Sequence, residues 1–413
     1  MNILILHRIP YYKIEYHRGI DHSRHNVFYI GTKENLNNIP SHVFCKKIIR
    51  SGIHDVVREV SGYLRLSAVK FDKIISMSEY ELLAAAQLRE LFHIDGPLVS
   101  DVELVRNKLL MKKSMAEHGI RVPTFTSMID LIEKEYFSSN GKLVLKPISG
   151  ASSENVVVFS HYIELLKRLK NGNTGVSELD GGVDCFDQYE VEEFIEGDII
   201  HIDGLVQEGR IIKCLASQYI GTCLNYANGF PLGSIQIETT SLLKNWAQKC
   251  ILAAKINSGS FHLELIKSPD GLVFLEIANR VGGADVVKTF ELATGVHLPS
   301  AELKLQLSEY QHMNDSNLSN KKYGWFVFPG HKLAACVASM LNSEEFKNHK
   351  FIIDWHELPR DKKCKSYITY QPNEVPLAGV ICGDDSNELI QFMQRMFASI
   401  KITDSHHESH RVA

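Results

Sequence analysis

The sequence predicts a multidomain α/β protein: a parallel α/β domain first, a hairpin-rich centre, and a small α/β segment at the end. Three observations carry this. Short apolar runs alternate with helical patterns over the first hundred residues; QEGR and SPDG mark turns between alternating strands in the middle; and a last α/β-like stretch runs from about Tyr323 to Ile402. At 413 residues the chain exceeds one simple core and calls for roughly two to four domains.

NILIL (2–6), NVFYIG (26–31) and FDKIISMS (71–78) read as buried strands, and EYELLAAAQLRELF (79–92) as a helix. That alternation implies a parallel sheet. Gly96 and Pro97 break the pattern, which puts a domain edge there. A helix follows, with Asp101 as its N-cap, apolar positions through Met115, Gly119 as C′ residue and Pro123 as a stop. KLVLKP (142–147), SGASS (149–153) and NVVVFS (155–160) form strand, small-residue loop, strand. Residues 171–188 are polar and glycine-rich and read as a connection. VEEFIEG (191–197) leads into a hairpin that turns at QEGR, and GTCLNYANGFPLGS (221–234) reads as a long loop. SLLKNWAQKCILAAKI (241–256) and SNELIQFMQRMFASI (386–400) are helices.

Composition excludes more than it identifies. A net charge of −4 gives no reason to expect nucleic acid or membrane as a partner. The start, MNILILHRIP, reads as a first strand and not a signal peptide. No apolar run approaches the ~20 residues of a membrane span. The eight cysteines are scattered without a C-x-x-C pair, as expected of reduced thiols in a cytoplasm, and the nineteen histidines lack metal spacing. The tail 405–413 reads as a frayed end.

The most informative stretch is FHLELIKSPDGLVFLEIANRVGGAD (261–285). With Pro269, Asp270 and Gly271 as a three-residue hairpin loop, Ser268 faces Leu272 and Glu264 lies opposite Glu276. Cross-strand Cβ atoms are then ~5 Å apart, and like charges there repel. Two readings stand: a one-residue slip leaves both carboxylates solvated on opposite faces, or a divalent cation lies between them. Hard oxygen ligands favour Mg²⁺. Arg280 would then hold a phosphate or carboxylate bidentately, and Gly282 and Gly283 would leave room for a ligand.

In this order, RNKLLMKKSMAEHGIRVP (106–123), KLVLKPISGASSENVVV (142–158), VEEFIEGD (191–198), FHLEL (261–265) and FLEIANRVGG (274–283) resemble the ATP-grasp superfamily. Within it the chain looks most like the carboxylate–amine ligases, particularly bacterial L-amino acid ligases that make dipeptides. The resemblance implies an N-terminal α/β domain (1–97), a small lid subdomain (98–190), a large subdomain with the metal site (191–315) and a C-terminal α/β subdomain (316–413). It implies ATP and Mg²⁺ as cofactors, with two ions and Mn²⁺ as a substitute, and amino acids as small-molecule substrates. A homodimer is compatible with it. Lys108 and Lys146 fall on phosphate-holding positions, and Ser149, Gly150, Ala151, Ser152 and Ser153 on the flap over the phosphates. Glu192, Glu193, Phe194 and Ile195 fall on the hinge that receives adenine, with Glu192 accepting from the exocyclic amine. Glu264 and Glu276 match the metal carboxylates, and Arg280 and Lys146 the catalytic cations.

Two departures follow. Ala278 stands where many members carry asparagine, so either Asn279 or water completes the metal shell. The acidic residue that commonly binds ribose falls on Ile199, with Asp198 or His201 as stand-ins. Glu79 borders the pocket or simply begins a helix. The implied reaction makes an acyl phosphate from ATP and a carboxylate, which an amine then attacks. Other readings are a ligase or carboxylase for another carboxylate, such as a purine-pathway intermediate, or an ATP-binding module without catalysis.

Overall fold

The computed structural model describes residues 1–139, 141–182, 184–311, 319–334, 338–359 and 361–404. Cys336 and the tail from 405 lie outside these.

Strands β1 (Asn2–Leu6), β2 (Asn26–Gly31), β3 (Lys46–Ile49) and β4 (Lys73–Ser76) form a parallel sheet in the order β3-β2-β1-β4. Apolar runs buried on both faces are what a helix-covered parallel sheet requires. Leu4, Leu6, Phe28 and Ile74 meet helices Val56–Leu66 and Leu82–Phe92 on one side. Ile3, Ile5, Tyr29 and Ile75 pack on the other, where Leu303 of helix Leu298–Gln306 and Leu307 at its end join them. The short strand β3 and helix Val56–Leu66 escape a reading by apolar runs, because KKII keeps three of its four side chains exposed.

The expected helix from Asp101 is two helices, Val99–Glu103 and Lys108–Glu117, and Asn107 caps the second through Leu109 and Leu110 N–H. That break sets Lys108 in the first turn of the second helix. Strands β5 (Phe125–Ser127), β6 (Leu143–Pro147), β7 (Val157–Phe159) and β8 (Tyr189–Glu193) form an antiparallel sheet ordered β5-β8-β6-β7. The connection at 171–188 contains helix Ser177–Asp180, which Asp180 anchors by accepting from Thr174 and Gly175.

The large sheet takes β9 (Asp198–Gln207), β10 (Arg210–Ile220), β11 (Leu232–Gln236), β12 (Gly259–Ser268), β13 (Gly271–Ala278) and β14 (Lys322–Phe328). β15 (Ala338–Leu341) pairs separately with β18 (Lys401–Asp404), while β16 (Ile352–Glu357) and β17 (Leu377–Gly383) finish the large sheet. Its order is β13-β12-β9-β10-β11-β14-β17-β16. The QEGR turn forms as expected, Gln207 pairing with Arg210. The 221–234 segment is not all loop: it holds helix Cys223–Ala227 and runs into β11.

Strand alternation sorts the large sheet by face. Ile200, Ile202, Phe261, Leu263 and Leu265 face helices Lys108–Glu117 and Ser241–Ala253, which supply Met111, Met115, Ala247 and Ile251. The intervening His201, Asp203, His262 and Glu264 turn to the other side.

Helix Leu298–Gln306 carries a buried acid, Glu302, 4% exposed, whose Oε2 has no hydrogen-bond partner among the described residues. Burial raises its carboxyl to about 7 despite hydrogen bonds from Ser260. Between the ordinary value of 4.5 and about 7 the folded chain keeps a proton that the unfolded chain has lost, so stability falls as pH rises through that window. Glu302→Gln is expected to stabilise the protein by about 1–3 kcal/mol above that window and to do little below it. Thermal melts of both proteins at acidic and mildly alkaline pH check this.

Candidate active site

Glu264 on β12 pairs directly with Glu276 on β13. The turn that delivers them differs from the expected one: Ser268 faces Gly271 across a two-residue loop, with Gly271 at φ +118°. A bulge between Glu264 and Leu265 takes up Leu275 and restores the register. The two glutamates are therefore opposite each other because of a bulge beside them, not because of a three-residue turn.

Both line a cavity of about 510 Å³ between the large sheet, the lid and the flap. Lys108, Lys146, Gly150 to Ser153 and Glu192 to Ile195 also line it. Lys108 Nζ lies 3.2 Å from Glu276 and donates to the Gly150 carbonyl at 3.0 Å, joining carboxylate to flap. Against the cost of burial, Lys108 and then Lys146 hold the Glu276 carboxyl down at about 2. Ser149 sits at the flap's edge, its carbonyl taken by Arg106 at 3.0 Å. Ser152 and Ser153 adopt φ of 58° and 54°, the left-handed region that non-glycine residues rarely hold.

Glu264 is held from behind. Tyr219 OH donates to its Oε1 at 2.8 Å, and His262 Nε2 approaches the same oxygen at 3.2 Å. His262 Nδ1 lies 2.7 Å from Asp203 Oδ1, and Asp203 Oδ2 lies 2.5 Å from His201 Nδ1. His201 Nε2 ends the chain at Ser234 Oγ, 2.6 Å away. Both His262 nitrogens face carboxylate oxygens that can only accept, which requires the doubly protonated ring. Burial opposes that charge, but Asp203 and Glu264 raise the imidazole to about 10.

Several expectations change here. His201 is buried in this chain and does not line the cavity, so it is no stand-in for a ribose acid. Asn279 does not line it either; its amide donates to the Ser260 and Ser258 carbonyls at 2.8 and 3.3 Å, which orients it to the backbone and not to the glutamates. Gly282 leaves room for the protein itself: a Cβ there would fall 2.7 Å from Asp203 Oδ1 and 2.9 Å from His262 Nδ1. Gly283 does face open space. Arg280 is clamped by Glu79, whose other oxygen takes Arg106. Glu79 thus ties the first domain to both halves of the site; burial opposes its charge, yet the two arginines keep its carboxyl low.

The hinge also differs. The Glu192 carboxylate is not open to adenine, because Lys146 lies 2.5 Å and Lys112 2.7 Å from its two oxygens. Glu190 completes the group beside Lys112, with Lys146 at 3.7 Å. Two lysines and two glutamates are thus buried together where β6, β8 and helix Lys108–Glu117 meet. The Glu193 and Phe194 amides donate to Thr124 and Lys142 carbonyls at 2.7 and 2.9 Å. Cys223 lines the cavity too, but burial, then Glu264 and Glu276, push its thiol well above the usual value, leaving no thiolate nucleophile.

Lys112, Glu190, Asp203, Tyr219 and His262 had gone unremarked in the sequence. The signal was present: His201 and Asp203, and His262 and Glu264, are each two apart in otherwise apolar strands, so each pair shares a face.

A lid over an antiparallel sheet, with cross-strand carboxylates under a lysine-lined cavity, is the arrangement of the ATP-grasp fold. Residues 105–284 match the family model described as an ATP-grasp domain. Among particular relatives, the chain is 28% identical over 270 residues to an L-arginine-specific L-amino acid ligase of Bacillus subtilis, a match spanning 63% of either chain and so less than two thirds of that relative. In structure it resembles an L-amino acid ligase from Bacillus licheniformis, with TM-score 0.70 and 16% identity over 97% of this chain and 98% of that one. It also resembles an N5-carboxyaminoimidazole synthetase from Staphylococcus aureus complexed with ADP, with TM-score 0.66 and 14% identity over 96% of each. Among the described residues no helix is long and apolar enough to cross a membrane.

Lys112 is fully buried, so Lys112→Met should leave Glu190 and Glu192 short of a cation and destabilise the protein by about 3–5 kcal/mol. Lys112→Met with Glu190→Gln should recover part of that loss. Denaturant unfolding of the two variants measures both; an unaltered single variant would contradict the buried pairing.

Proposed function

We propose that the chain is an ATP-dependent carboxylate–amine ligase that joins two amino acids, or an amino acid and an amine, and releases ADP and phosphate. The observation that carries the reading is the Glu264–Glu276 pair under a cavity whose flap is tied to Glu276 by Lys108. Two facing carboxylates with hard oxygen donors fit Mg²⁺, and their repulsion is a cost that such an ion offsets. When bound there, it would neutralise charge on phosphate oxygens. The number of ions, and Mn²⁺ as a substitute, belong to the same proposal.

An amide cannot form directly from a carboxylate, because its oxygen is a poor leaving group. Transfer of the ATP γ-phosphoryl group to the carboxylate gives an acyl phosphate; the amine attacks its carbonyl carbon and phosphate departs with the electron pair. In this reading Lys146, which lines the cavity, and Arg280, which does not line it and is held beside it by Glu79, would offset charge on the transferred group. Ser149 to Ser153 would cover it, and Glu193 to Ile195 would border the base. Glu79, by clamping Arg280 and Arg106, would restrain both guanidiniums. The flap excludes water, without which the acyl phosphate hydrolyses.

The Bacillus subtilis relative makes L-arginine the first amino acid to test. Cys45, Cys185, Cys214, Cys223, Cys250 and Cys382 are free thiols, which supports a cytoplasmic setting. The ADP-bound synthetase neighbour shares only the fold and keeps a different carboxylate as the second reading.

The protein should release ADP and phosphate from Mg²⁺–ATP only when amino acids are supplied, singly or in pairs from the twenty, with a dipeptide in the mass spectrum. Tight ATP binding with no turnover across the panel would favour a binding module. Glu276→Gln should lower turnover by about 10²–10³-fold or more while the melting temperature is maintained.

A further inference from the structure

We propose that His262, braced by Asp203, is a positioning residue that fixes the Glu264 carboxylate for the metal; this rests on the ligase reading above. The chain of contacts spans four neighbouring strands of the large sheet, from Ser234 on β11, past β10, through His201 and Asp203 on β9 to His262 and Glu264 on β12. Every atom along it is paired: each Asp203 oxygen takes one imidazole, and each His262 nitrogen takes one carboxylate. The three central residues could in principle hold a metal themselves, since their ligand atoms lie within 4.8 Å of one another. Their facing atoms are instead engaged with each other at hydrogen-bond distance.

The direction of the contacts gives the role. His262 Nε2 and Tyr219 OH both fall on Oε1 of Glu264, so two donors from β12 and β10 fix the carboxylate plane while Glu264 still lines the cavity. An acid held on one oxygen by two donors keeps one rotamer and offers its other oxygen outward. Asp203 in turn prevents His262 from turning away, and Gly282 lets the Asp203–His262 pair sit against the RVGG turn. The same contact therefore locates the glutamate and the turn carrying Arg280.

The two ring nitrogens can be separated by substitution. Glutamine at 262 carries its amide nitrogen at the same bond separation as Nε2, and asparagine at the same separation as Nδ1. His262→Gln can therefore still donate to Glu264, whereas His262→Asn can donate only to Asp203. Mn²⁺ binding to the protein with ADP, followed by electron paramagnetic resonance, reads the site without turnover. Melting temperatures of the metal-free proteins report folding separately. We expect His262→Asn to weaken Mn²⁺ affinity about 10–100-fold and His262→Gln to change it by only about threefold. Tyr219→Phe, which removes the second donor, should weaken it as well while remaining folded. Variants that bind Mn²⁺ as the parent protein does would overturn the inference alone. Equal losses in the asparagine and glutamine variants would also overturn it. A parent protein that fails to bind Mn²⁺ would overturn the metal assignment, and the inference with it.

Discussion

Two carboxylates facing each other across an antiparallel pair is the constraint around which the molecule is arranged. Left alone, Glu264 and Glu276 would repel and loosen the edge of the large sheet. The chain surrounds them with cations and donors from four places. Lys108 arrives on a helix N-terminus, Lys146 from the lid, His262 from the neighbouring position on the same face, and Tyr219 from β10. The neutralising groups thus come from separate elements, and the site exists only when β6, helix Lys108–Glu117 and the large sheet are all assembled.

The lid repeats the device in a drier setting. Lys112 and Lys146 share Glu190 and Glu192 where β6 and β8 meet helix Lys108–Glu117, and such a group favours one arrangement because a lone member would be a buried charge. Glu79 does the same between the first domain and the site by holding Arg106 and Arg280. Ion pairs thus join apolar contacts, such as Leu303 and Leu307 against the N-terminal sheet, in holding these parts together, whereas the interiors around the lid and the large sheet follow ordinary apolar patterning.

Much of this was legible in the sequence. Apolar runs located β1, β2 and β4, alternation located β9 and β10, and turn chemistry brought Glu264 opposite Glu276. That last reading was right in its result and wrong in its route, because hairpin geometry seen from sequence does not reveal a bulge at Leu275. The polar, exposed KKII strand lacked an apolar signal, and the interrupted helix near Asn107 looked continuous because its apolar spacing survives the break. Glu192, His201, Asn279 and Gly282 were all assigned outward, toward a ligand. Each faces a protein partner supplied from another element, Ser234 of β11 in the case of His201, and such partners are invisible until the chain is folded.

The proposal that most needs testing is that Glu264 and Glu276 together hold a divalent cation at the floor of the cavity. A crystal of the protein grown with Mn²⁺ and a non-hydrolysable ATP analogue, measured at the manganese absorption edge, tests it most directly. The account predicts an anomalous peak between these two carboxylates, with Asn279 still on the Ser258 and Ser260 carbonyls. A peak among His201, Asp203 and His262 instead, or none beside a bound nucleotide, would contradict it.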